Sequence, residues 1–125
     1  MTDVVQAFTL TIPGGGTVNN IFFVDCELGI SDVSQVILVF PPGCSGNVGV
    51  RIEHGGSQVY PLAKGTFFIL DDFTLAIPVT RQGNSGQWHV AGYNTDVFPH
   101  SIGVYFFYDY VNFMEGESSV PLVSL

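Results

Sequence analysis

The sequence predicts an all-β fold: a single antiparallel β-sandwich or jelly roll of about eight strands, followed by a flexible C-terminal arm. Three observations carry that reading. Apolar and polar residues alternate at a period of two along several stretches, as expected of a sheet with one buried face. Turn-forming residues recur at short, fairly even intervals, at Pro13–Gly16, Asn19-Asn20, Pro41–Asn47, His54–Ser57, Lys64-Gly65, Asp71-Asp72, Arg81–Gly86 and Asn94–His100. No window holds apolar residues at three-and-four spacing for long enough to make a helix, and Glu27–Ser34 has room for one turn at most.

Taken in order, Ala7–Ile12 sets Phe8, Leu10 and Ile12 against Thr9 and Thr11. Ile21–Cys26, Val36–Phe40 and Phe67–Leu70 are apolar on both faces, which predicts central strands or strands covered twice. Asn47–Glu53 places Val48, Val50 and Ile52 opposite Gly49, Arg51 and Glu53, and Ser57–Tyr60 is a short strand. Phe73–Val79 carries Pro78, which has no N–H to give a ladder and therefore suits an edge or a strand end. Gln87–Tyr93 sets Trp88 and Val90 against Gln87 and His89. Ser101–Tyr110 aligns Ile102, Val104, Phe106, Tyr108 and Tyr110.

Residues 1–111 thus make one sandwich domain, and 125 residues suffice for one core. Residues 112–125 read as a polar linker with an apolar tip. Val120, Leu122, Val123 and Leu125 are the candidate partner-contact residues, because apolar side chains at a free end gain nothing in water and docking on a neighbour buries them.

Charge is scarce. Charged residues make up 11% of the chain against about 25% in an ordinary domain, and mean hydropathy is +0.38. A surface of Ser, Thr, Asn, Gln and Gly accounts for this in part. Cover by other subunits is the preferred explanation, since exposed apolar patches mark interfaces. One Lys leaves the sheet edges almost undefended against pairing, so a homo-oligomer, a dimer or trimer, is expected. The net charge of −8 rests on 11 acids against Arg51, Lys64 and Arg81. Three scattered cations cannot neutralise a phosphate backbone or hold an anionic membrane, so neither nucleic acid nor membrane is an expected partner.

The opening MTDVVQAFTL has no basic segment followed by an apolar one, so synthesis and folding in a cytoplasm are expected. Cys26 and Cys44 are then expected as reduced thiols, with a bridge between them as the alternative; Cys26 reads as a small buried hydrophobe and Cys44, in a turn, as the more exposed. Asp71-Asp72 reads as a hairpin turn. Asp25 and Glu27 share a strand face, with no partner indicated. His54, His89 and His100 follow no ligand spacing, and the Asn94–Asp96 turn is too poor in acids for calcium. Serine lies in no strained elbow, and the PGGG and HGG turns precede no helix that would cradle phosphate. No catalytic, cofactor or metal residue is assigned, no cofactor is implied, and the chain is not expected to be an enzyme. Trp88, Tyr93, Tyr105, Phe107 and Tyr108 are candidates for a sugar-stacking platform. Core packing and subunit contact are preferred for them because polar groups to orient a ligand are lacking.

PPGCSGNVGVRIEHGGSQVYP and NSGQWHVAGYNTDVFPHSIGVYFFYDY carry a resemblance. Their Pro-Pro-Gly turn enters a Val-Gly-Val-Arg-Ile strand, and a Gly-x-Trp strand runs through Tyr-Asn-Thr-Asp to His-x-Ile-x-Val. Over roughly residues 36–110 this resembles small virion proteins encoded among the structural genes of tailed bacteriophages. The resemblance implies a non-catalytic virion protein, assembled in the host cytoplasm, whose partners are capsid or other virion proteins. It points foremost to a capsid decoration (cement) protein. A head–tail, collar or tail component and a carbohydrate- or receptor-binding sandwich are the alternatives.

Overall fold

Alternation in the sequence becomes two faces per strand in the structure, a computed structural model that describes residues 3–28, 31–79 and 87–110. The strands are β1 (Asp3–Ile12), β2 (Phe22–Glu27), β3 (Ser31–Phe40), β4 (Val48–His54), β5 (Ser57–Tyr60), β6 (Phe73–Pro78), β7 (Gln87–Asn94) and β8 (His100–Tyr110). They form two four-stranded antiparallel sheets, ordered β1-β8-β3-β6 and β2-β7-β4-β5. Every link except the β4–β5 hairpin crosses between sheets, which is the winding of a jelly roll.

The core lies between the sheets. From the first, Leu10, Ile12, Val36, Leu38, Phe40, Ile102, Val104 and Phe106 point inward; from the second, Val48, Val50, Ile52, Trp88 and Val90 meet them, all at 2% exposure or less. Each such side chain contributes about 1.5–3 kcal/mol by leaving water. Phe106 packs edge-on between Trp88 and Phe8, with ring centroids 5.6 and 5.8 Å away. A register shift between Val33 and Gln35 on β3 lets both Val33 and Val36 face the core, which strict alternation forbids.

Several expectations need correction. Phe67–Leu70 makes a single bridge, Phe68 to Val50, beside the stretch Ile52–His54 of that β4 edge which β5 already occupies. The doubly apolar Ile21–Cys26 becomes β2, an edge strand with Phe22 and Phe23 exposed. Glu27–Ser34, with room for one turn at most, holds no helix among its described residues, in keeping with the sequence: Glu27 closes β2 and Ser31 opens β3. Asp71-Asp72 is a turn, with Asp72 at φ 49°, but it leads across to the other sheet and forms no hairpin. Cys44 is fully buried, turned inward by a loop that Asn47 N closes onto the Cys44 carbonyl at 2.8 Å. Pro78 does lie at the end of an edge strand, β6. Residues 112–125, with Val120, Leu122, Val123 and Leu125, lie outside the described residues.

Candidate functional site

Strand pairing gathers four connections at one end of the sandwich. Ile12 pairs with His100, Val48 with Asn94, Phe40 with Phe73 and Phe22 with Gly92, so residues 13–21, 41–47, 71–72 and 95–99 meet there. Asn94 organises them. Its side chain, 1% exposed, donates from Nδ2 to the carbonyls of Ile12 (3.2 Å) and Phe98 (2.8 Å), and its Oδ1 accepts the Asp96 amide at 2.9 Å. Asp96 continues the chain of bonds. Its Oδ1 accepts the Val97 amide at 2.7 Å and its Oδ2 lies 2.8 Å from His100 Nε2. The hydrogen bond from His100, with the backbone amides of Val97 and Phe98, holds the Asp96 carboxyl below the usual carboxylate range, although burial opposes them.

A second strip of backbone locks the turn from outside. Gly15 N donates to the Asp96 carbonyl at 2.6 Å and Gly16 N to that of Asn94 at 3.2 Å. A Cβ on Gly14 would lie 2.3 Å from the Val97 carbonyl oxygen, so only glycine permits this approach. On the fixed turn, Val97 and Phe98 stand 76% and 67% exposed. The oxygens the sequence offered for calcium, on Asn94 and Asp96, are thus engaged by the turn's own amides and by His100.

The histidines are dispersed. His100 joins Asp96; His54, at the end of β4, stacks on Trp88 with centroids 4.5 Å apart; His89 Nε2 lies 2.9 Å from Asp25 Oδ1. This last pair answers the question of Asp25's partner, which only the adjacency of β2 and β7 reveals. His89 Nδ1 is buried with no hydrogen-bond partner, so the dyad presents no accessible base there. Beside it lies a cavity of about 160 Å³ lined by Asp25, Cys26, Glu27, Gln87, Trp88 and His89. That is well short of the roughly 300 Å³ at which ligand pockets begin. Cys26 offers no nucleophile: it is 1% exposed, and burial first, then the charge of Asp25, pushes its thiol up to about 12. Burial, then Asp71 and Asp96, pushes Cys44 up as well. Both thiols are free.

The five aromatics do not share a platform. Trp88 and Tyr108 are in the core. Tyr93, on the outer face of the second sheet, is buried over Gly49 and edge-on to Phe67, centroids 4.9 Å apart, and burial raises its phenol's pKa. Tyr105 and Phe107 lie on the outer face of the first sheet, on the other side of the molecule. The chain matches no protein family, no curated protein and no solved structure.

Proposed function

We propose that this chain is a non-enzymatic virion structural protein, a capsid decoration (cement) protein that stabilises the head of a tailed bacteriophage through protein–protein contacts. The observation that carries the reading is the pinned 95–99 turn with Val97 and Phe98 uncovered. Apolar side chains on a turn already ordered by hydrogen bonds lose little entropy on docking, so most of their burial counts toward affinity. An aromatic presented this way is the kind of anchor that dominates an interface. Asp71 and Asp72 lie at the same end, so the fitting partner is a protein with an apolar socket and a basic rim. Jelly rolls recur in viral capsid and lectin domains, a likeness of fold alone.

Purified virions of the encoding phage provide the test. Quantitative mass spectrometry should find the chain at a fixed copy number, and cryo-imaging should place its density over the shell. The F98S variant should fold normally and be lost from the particles. Density at the neck would make the chain a head–tail component. Absence from washed particles would refute a virion role altogether.

A further inference from the structure

We infer that the outer face of the β1-β8-β3-β6 sheet is a self-association surface, on which a second copy of this chain packs face to face. The inference stands whether or not the particle reading holds. The central cross-strand row of this face is Ala7, Tyr105, Ile37 and Ala76, and the rows beside it add Val39 and Phe107. From Ser101 to Phe107 on β8, and at the outward positions paired with them, no residue is Asp, Glu, Lys, Arg or His. Tyr105 is 38% exposed. Its ring leans over Gly103, 3.5 Å from where a Cβ would be.

The charges lie elsewhere. Asp25, Glu27, Arg51, Glu53 and His89 are on the second sheet, whose outer face is also roofed in part by Phe67 under the Arg51 guanidinium, 5.2 Å from the ring centroid. Asp3, Asp109 and Asp32 occupy one cross-strand row at the border of the first sheet, beyond the neutral area. For a chain of net charge −8, this is the broad surface that two copies can bring together without setting acid against acid. A face with no charge is complementary to itself, which a two-fold contact requires.

Its area suffices. Four strands about 4.8 Å apart, with outward residues about 6.8 Å apart along each, give roughly 500 Å² per copy in projection. Two copies then bury at least roughly 1,000 Å², the threshold for a specific interface. Twisted sheets pack this way about 10 Å apart, so the dimer would be a four-layered stack of sheets.

Sedimentation velocity of the full chain from about 1 to about 100 µM tests this, with a monomer–dimer equilibrium expected. I37K and A76K each place an unpaired charge in the interface and should weaken the dimer at least about a hundredfold. F23K, on the exposed part of the second sheet, should leave it intact. The near-ultraviolet signal of Trp88, fully buried, reports native folding, and A76K, on an exposed edge strand, serves if I37K does not fold. A monomer at every concentration overturns the inference, whether the face is bare or covered by residues 111–125 of its own chain. So does a dimer that survives the lysines but not F23K, or a trimer, which a two-fold face contact cannot close.

Discussion

Replacing Asn94 tests whether one side chain holds the loop end together. Asn94→Ala removes three hydrogen bonds, those to the Ile12 and Phe98 carbonyls and that from the Asp96 amide. At about 1 kcal/mol net for each, the loss is roughly 3 kcal/mol. The buried Ile12 carbonyl adds to it through its desolvation, while water reaching the part-buried Phe98 carbonyl reduces it, so about 2–4 kcal/mol is expected. For a chain of 125 residues that lowers Tm by roughly 10 °C. Asn94→Asp is the sharper variant. It keeps the volume and the acceptor for Asp96 N but sets a carboxylate oxygen against two carbonyl oxygens, so it should cost more than alanine at neutral pH. Urea unfolding followed by Trp88 fluorescence gives the free energies. Amide exchange at Gly15, Asp96 and Val97 shows whether the damage is local, since these should exchange faster than the core strands. If both variants unfold within about 0.5 kcal/mol of the parent, the bonds do not organise this end and the argument fails.

Two more predictions follow from the same geometry. In Gly49→Ala the new methyl would sit 2.3 Å from the Tyr93 ring, so the ring must lift, at a cost of about 1–3 kcal/mol. The pair Gly49→Ala/Tyr93→Ala should cost less than the sum of the single changes, and strict additivity in a double-mutant cycle would contradict the contact. The Asp96 carboxyl titrates below its ordinary 3.8 in the folded chain, so its contribution is fully present above that value and is lost as pH falls through the lower folded one. The stability gap between the parent and Asp96→Ala should therefore be constant near neutrality and close below about pH 4; a gap that widens in acid would refute the assignment.

The sandwich was legible because period-two patterning is local. Phe8-Leu10-Ile12, Val48-Val50-Ile52 and Ile102-Val104-Phe106 announce both strand and buried face without any knowledge of neighbours. Strand order is not local, and the sequence was misleading wherever order mattered. Phe22 and Phe23 suggested a central strand, yet their apolar surface is left at an edge. Phe67 suggested strand packing, yet it covers Tyr93 from a connecting segment. A turn sequence implied an exposed Cys44, but nothing in Pro-Gly-Cys-Ser-Gly tells which side of the loop faces the core. The Asp25–His89 and Asn94–Ile12 contacts span 64 and 82 positions; the first exists only because β2 lies on β7, the second because the end of β1 packs across the sandwich against β7. The exposed Val97-Phe98 pair had a sequence signal that went unread: two large apolar residues inside a turn rich in Asn, Asp and Pro.

The face and the tip are separate surfaces with a joint consequence. The tip lies at the strand ends, beyond the His100–Ile12 pairing, whereas the neutral face runs along the strands, so one need not obstruct the other. The neutral face has no acid at its centre, so a contact there requires no desolvation of charge. A face-paired dimer carries two Val97–Phe98 tips, and engagement of the second becomes an intramolecular event with a high effective concentration. Disrupting the face should then weaken attachment to a repetitive partner even though Ile37 touches nothing at the tip. Surface plasmon resonance on immobilised capsids would separate the two roles: F98S should abolish binding of monomer and dimer alike. I37K should leave the single-tip affinity unchanged and speed only the slow dissociation that two tips confer. Equal dissociation of the parent and I37K would show that the tips act one at a time.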